Sequence, residues 1–157
     1  MSRKPVFAYV LVLMFLALNR LIAATAPTLV GSWEFTVMPT TNAHTAAVSI
    51  EGLATFTSDG TVVETDTSLW PSAHGQGIWQ NGPIPGGYLF VRFTSLMANL
   101  NGALHTKRTV TMLITVNSTG DRFKGNYTFE VVNGKGDIIA SGSGNVTGEL
   151  MTHPLLP

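Results

Sequence analysis

The stretch GSWEFTVM, residues 31–38, alternates large apolar side chains with small, polar or charged ones. Trp33, Phe35 and Val37 fall on one face of an extended chain, and the residues between them fall on the other. A period of two is typical of a β-strand that buries one face and exposes the other. The stretch therefore predicts a strand at the start of an all-β domain.

The same alternation continues through the chain, interrupted by short turn sequences such as Ser58-Asp59-Gly60 and Asn133-Gly134. No helical pattern follows the N-terminal segment. The pattern predicts about eight antiparallel strands in sequence, at residues 31–38, 45–57, 61–67, 78–80, 88–97, 105–116, 123–131 and 137–148. Such a series of strands can form either a sandwich or a barrel. Closure removes exposed strand edges, so we predict a single up-and-down barrel over residues 27–150, with a loose tail at 151–157.

The N-terminal segment has the composition of a secretory signal peptide. Arg3 and Lys4 precede an apolar run over residues 6–18, and small residues follow at 23–26. The run is shorter than the roughly 20 residues of a membrane-spanning helix. We predict that residues 1–26 are removed and that the protein is secreted or periplasmic, with no membrane span after cleavage. An uncleaved N-terminal anchor is the alternative, because Pro27 follows the small residues; cleavage after Ala24 would avoid that proline.

Charge and composition exclude several functions. Without residues 1–26 the chain has six basic and nine acidic residues, which argues against nucleic acid as a partner. It contains no cysteine, so it is neither a lipid-anchored lipoprotein nor a thiolate enzyme. The histidines do not show a metal-ligand spacing, and we expect no metal and no cofactor. They are His44, His74, His105 and His153.

The Gly31-Ser32-Trp33 opening resembles the Gly-x-Trp start of lipocalins and the wider calycin barrels. The resemblance implies that Trp33 is a structural plug at the closed end of a barrel. The chain departs from lipocalins in three ways. No arginine follows Arg122, where lipocalins bring a late-strand arginine across the tryptophan, and the disulfide and C-terminal helix of that family are absent.

A broader resemblance covers nearly all of the mature chain. The segments GSWEFTV, GLATFTSDGTVVETD, AHGQGIW, YTFEVV and GSGNVTG are similar to a group of small exported bacterial β-barrel proteins of unassigned activity. A weaker likeness, at fold level, is to allene oxide cyclase-like barrels, which bind or cyclise apolar substrates. A shared barrel does not by itself transfer a function.

The predicted inward positions are almost all apolar, which favours a protein that binds a small apolar molecule inside the barrel. We expect a cavity of several hundred Å³. Its predicted lining is Phe93, Met112, Tyr127 and Phe129, with Trp79 and Trp70 as further ligand contacts. Glu34, Glu51, Lys124 and Glu130 are predicted to point outward, and the strands are expected to offer no buried carboxylate. The Lys107-Arg108 doublet is interpreted as a solvated strand start.

Two other interpretations remain open. The first is an isomerase or cyclase of the allene oxide cyclase-like kind, with His74, Glu64 or Tyr127 in acid–base roles at the rim. His74 lies in PSAHGQGIWQNG, residues 71–82, where two glycines favour a simple bend over a site. The second is a packed structural or interaction barrel with no small-molecule site.

Overall fold

A computed structural model describes residues 28–40, 49–67, 74–82, 87–98 and 104–152. These residues form eight strands and no helix. The strands are β1 (Gly31–Pro39), β2 (Ile50–Phe56), β3 (Thr61–Asp66), β4 (His74–Asn81), β5 (Tyr88–Ala98), β6 (Leu104–Val116), β7 (Arg122–Asn133) and β8 (Ile138–Leu150).

The eight strands close into a barrel in which each strand pairs antiparallel with its neighbour in sequence. β1 also pairs with β8, from Trp33 opposite Leu150 to Pro39 opposite Gly144, and this pairing completes the closure. The predicted all-β, up-and-down barrel is confirmed. Closure leaves no unpaired sheet edge, which is the physical advantage on which the prediction depended.

The fourth strand differs from its prediction. Gly75 and Gly77 were expected to interrupt the chain and leave a short strand at 78–80, but β4 runs from His74 to Asn81. Both glycines lie inside the strand because neighbouring groups approach it closely. A Cβ on Gly77 would overlap the Arg92 carbonyl oxygen, and one on Gly75 would overlap Glu64 Oε1. These glycines therefore permit close packing and do not mark a bend.

One end of the barrel, at the start of β1 and the end of β8, is filled by side chains. Trp33 is 1 % exposed and its ring lies 5.1 Å from that of Phe123. The Trp33 Nε1 donates a hydrogen bond of 2.8 Å to the carbonyl oxygen of Leu29, itself fully buried. We call this the filled end. None of the arginines in the described residues lies across the tryptophan: Arg122 is exposed and pairs with Glu149 at 3.3 Å on the surface.

Aromatic rings on β7 lie over glycines on β8 along the interior. Each ring occupies the space that a side chain on the opposite residue would take, so the glycines let large rings fit within a narrow barrel. The register pairs are Phe123 with Gly148, Tyr127 with Gly144 and Phe129 with Gly142.

Several predictions concern parts of the chain outside the described residues. The proposed signal peptide at 1–26, residues 45–48 at the predicted start of the second strand, and residues 153–157 of the tail lie there. Met151 follows β8 and its backbone N donates to the Ser32 carbonyl oxygen at 2.8 Å. Among the described residues, no helix has the length and apolarity needed to cross a membrane.

Candidate functional site

A cavity of about 410 Å³ occupies the half of the barrel away from the filled end. We call this half the cavity end, because it includes the end of β1, the end of β3 and the first half of β6. Its walls are mainly apolar. The four interior residues predicted to contact a ligand all line it: Phe93, Met112, Tyr127 and Phe129. Val37, Ile50 and Val110 extend the apolar wall.

The barrel interior at the cavity end also holds a buried acid next to the cavity lining, which corrects the expectation that the strands offer none. Glu64 is 2 % exposed and lies on β3 with Val62 and Asp66 on the inward face. The inward position of Glu64 and Asp66 follows from the alternation along β3, since residues 62, 64 and 66 share one face. Asp66 lines the cavity, and its side chain is 5 % exposed.

Arg108 faces these two carboxylates from β6 and is likewise inside the barrel. Its Nη2 lies 2.6 Å from Asp66 Oδ2 and 3.3 Å from Glu64 Oε1. The interpretation of Lys107-Arg108 as a solvated strand start is therefore wrong for Arg108, whose exposure is 9 %. Arg108 shares the face of Val110 and Met112, whereas Lys107 points outward and is exposed.

Two small residues on the neighbouring strands complete the surroundings of Glu64. Ser95, fully buried on β5, donates its hydroxyl to Glu64 Oε1 at 3.0 Å. Gly75 of β4 lies opposite Glu64 in the strand register, and a side chain there would collide with the carboxyl group. Within the described part of the chain, Glu64 Oε2 has no hydrogen-bond partner. We call Glu64, Asp66, Ser95 and Arg108 the interior polar cluster.

The environment raises the pKa of Glu64 from 4.5 to about 7. Burial is the largest cause, because it disfavours the charged carboxylate, and the nearby Asp66 carboxylate adds to it. The Arg108 charge and the hydrogen bonds from Ser95 and Arg108 act in the opposite direction and offset part of the rise. Glu64 can therefore accept or release a proton near neutral pH, in a place shielded from water.

Tyr127 contributes a second polar group with no partner. It is 4 % exposed, lines the cavity and stacks on Phe129, with ring centroids 6.3 Å apart. Its hydroxyl oxygen is buried and has no hydrogen-bond partner within the described residues. Burial raises the pKa of the Tyr127 hydroxyl above its usual value of 10.0, so the group stays protonated and can donate or accept a hydrogen bond.

The other predicted site residues do not join this cluster. His74 is exposed at the first position of β4 and points outward, since its neighbour Gly75 faces Glu64 inside. Trp79 lies toward the filled end, where its Nε1 donates to the Thr57 carbonyl oxygen at 2.8 Å, and it does not line the cavity. Trp70 lies outside the described residues.

The residues that the sequence interpretation missed are Asp66, Ser95 and Arg108. Each shares its strand face with residues of the apolar core: Asp66 with Val62, Ser95 with Phe93 and Arg108 with Val110. Strict alternation would have placed them inside. No group of three metal-ligating side chains occurs in the portion of the barrel described above.

Comparisons with known proteins assign neither a family nor a function to this chain. The chain matches no family model, no curated protein and no solved structure. The closed eight-stranded barrel is consistent with a calycin-like fold.

Proposed function

We propose that this chain is an exported, lipocalin-like protein that binds a small and mainly apolar molecule at the cavity end of its barrel. The cavity itself carries the proposal: its volume of about 410 Å³ is lined mainly by aromatic and aliphatic side chains, with few polar groups. Small-molecule sites typically have about 300–1,000 Å³ and this kind of lining. A chain that needed only a solid core would be expected to fill such a space, because empty apolar volume costs stability.

The division of the barrel into two unlike halves supports a binding role over a purely structural one. The filled end packs Trp33, Phe123 and Leu29 at 0 to 4 % exposure, which shows that this sequence can fill a barrel interior. The cavity end of the same barrel instead leaves a space of about 410 Å³ between its walls. The closed barrel and the Gly-x-Trp opening of β1 support the lipocalin-like part of the proposal.

Export is the second part of the proposal, and its support is the N-terminal sequence. The basic start, the apolar run and the small residues at 23–26 are typical of a cleaved signal peptide. Expression of the full chain in a secreting bacterial host, followed by intact mass measurement of the secreted protein, tests it. We expect a mature N-terminus between residues 25 and 27; a full-length, membrane-bound product would contradict export.

Binding is tested by native mass spectrometry of the mature protein from its own host, with organic extraction of any bound compound. We expect a bound molecule of low polarity. Val110→Phe should reduce the bound fraction at least tenfold, because Val110 lines the cavity between Phe93 and Phe129 in the strand register. Thr111→Phe, one residue along on the outer face, is the matched control and should leave binding unchanged. Equal effects of the two substitutions would contradict an interior site.

A second candidate function, an isomerase or cyclase acting on an apolar substrate, is favoured by one observation. Glu64 lies beside the cavity with a pKa near 7, where a carboxyl group can both take up and return a proton. The extracted compound, re-bound in deuterated buffer, should then gain deuterium at carbon with the wild-type protein and not with Glu64→Gln. Absence of exchange with the wild-type protein would leave binding as the function.

A further inference from the structure

We propose that the ligand of this cavity carries a protonated amine that pairs with Asp66 on the cavity wall, next to the buried carboxyl group of Glu64, so that the ligand class is a hydrophobic amine. This inference rests on the proposed binding function and adds the chemistry of the ligand's polar end. Its basis is the imbalance of charge within the interior polar cluster: two carboxylates surround one guanidinium group.

The charges that face Glu64 can be followed strand by strand among the described residues. β3 adds Asp66 on the same face, β4 and β5 contribute the uncharged Gly75 and Ser95, and β6 contributes Arg108. On β7 the inward titratable group is Tyr127, which is neutral. The remaining charged side chains of these strands point outward: Arg92, Lys107, Arg122, Lys124 and Glu130, with the titratable His74 and His105 also outside.

One guanidinium group cannot neutralise both carboxylates. Arg108 Nη2 makes its shorter contact with Asp66, at 2.6 Å, and its longer one with Glu64, at 3.3 Å. Ionised Glu64 would leave a net negative charge in an apolar barrel, and burying such a charge is costly. In the empty protein the cost is avoided by protonation. A bound cation would avoid it by supplying the missing positive charge.

The hydrogen-bonding groups also match an ammonium ion. An ammonium has three donors and no acceptor. The cavity wall offers Asp66 and Tyr127, whose buried hydroxyl oxygen has no partner in the described residues. Glu64, whose Oε2 likewise has no partner there, does not itself line the cavity and contacts the lining residue Arg108. The rings of Phe93, Tyr127 and Phe129 form part of the surrounding wall and add the attraction of aromatic faces for a cation.

The same inventory disfavours a fatty acid. A ligand carboxylate would enter beside Asp66 and Glu64, and Arg108, the cation that the described residues place there, already lies within ion-pair distance of both. Like charges in a desolvated site repel strongly. An uncharged alcohol adds no charge and should bind with an affinity between those of the amine and the carboxylate.

The proposal has a characteristic pH dependence. A bound ammonium favours ionised Glu64, while the alkylammonium itself, like a lysine side chain with a pKa of roughly 10.4, stays charged. Amine affinity should therefore rise with pH through the pKa of Glu64, about 7. Between pH 6 and 8 the ionised fraction of Glu64 increases about tenfold, and we expect the affinity for the amine to increase by about the same factor.

The test compares decylamine, decanol and decanoate, which share one chain length, by displacement of a fluorescent apolar probe from the mature protein. At pH 8 we expect decylamine to bind at least tenfold more tightly than decanoate. Glu64→Gln should flatten the pH dependence of decylamine binding and reduce the preference of the protein for decylamine over decanol at pH 8. Glu130→Gln, an exposed change of the same kind on β7, is the control for general attraction of a cation to an acidic protein.

Asp66→Asn provides a second variant in case Glu64→Gln does not fold. It should weaken the binding of decylamine and strengthen the binding of decanoate. Tightest binding of decanoate, or equal and pH-independent binding of decylamine and decanol, would overturn the amine proposal and leave the binding function intact. Failure of all three compounds to displace the probe, or of the probe to bind, would overturn the proposed function together with it.

Discussion

Replacing Glu64 with glutamine should change how the stability of the empty barrel depends on pH. The pKa of Glu64 is about 7 in the folded protein and 4.5 as the reference for the unfolded chain. The folded state thus holds the Glu64 proton more tightly than the unfolded state. The stabilisation from this proton is fully present below pH 4.5 and is lost as the pH rises through 7.

The magnitude follows from the size of the pKa shift. A difference of about 2.5 pKa units corresponds to ~3 kcal/mol of unfolding free energy, of which about 2.5 kcal/mol falls between pH 5 and pH 8. Glutamine does not titrate, so Glu64→Gln lacks this loss. The difference in unfolding free energy, variant minus wild type, should therefore increase by about 2.5 kcal/mol from pH 5 to pH 8, whatever its value at pH 5.

The assay is urea unfolding followed by circular dichroism at pH 5, 6, 7 and 8, with both proteins free of ligand. Because all other titratable groups are shared, the difference between the two proteins isolates Glu64 and its immediate neighbours. Glu130→Gln, an exposed substitution, is the control and should follow the wild type in parallel. Parallel curves for wild type and Glu64→Gln, within about 0.5 kcal/mol, would refute the inference that burial raises the pKa of this carboxyl group.

Two further substitutions test the packing at either end of the barrel. Trp33→Phe removes the 2.8 Å hydrogen bond to the Leu29 carbonyl oxygen and should cost about 1–3 kcal/mol in urea unfolding, because that acceptor is buried; an unchanged transition midpoint would show that the filled end does not depend on this bond. Gly75→Ala places a methyl group against the Glu64 carboxyl and the Phe93 ring and should cost about 1–3 kcal/mol of stability and displace bound probe, since it overpacks the cavity end. A Gly75→Ala protein with wild-type stability and probe affinity would contradict this account of the glycine.

The strand pattern was predictable because it depends on local alternation. Trp33, Phe35 and Val37 all face inward as the period of two requires, and so do Val110, Met112 and Ile114 on β6. Phe93, Met112, Tyr127 and Phe129 were predicted to face the interior on the same basis, and all four line the cavity, while their contact with a ligand stays a prediction. β4 was the exception, because the glycines that make room for Glu64 and the β5 backbone have the composition of a turn.

The interior polar cluster could not be assembled from the sequence, although its members obey the alternation. Glu64, Ser95 and Arg108 are far apart in the chain, and each is an ordinary polar residue within its own strand. Their inward position is costly in isolation and acceptable only because the three strands place a guanidinium, a hydroxyl and two carboxylates within hydrogen-bond reach.

The sequence by itself determined the strands other than β4, their antiparallel order and the mainly apolar character of the interior, because these depend on side-chain periodicity and short turns. Only the tertiary structure decided which end is filled, that a cavity of about 410 Å³ remains at the other, and that Glu64 lies buried against Arg108. Those properties depend on how strands tilt and stagger around the closed barrel, since that geometry sets the interior volume and brings distant inward residues together.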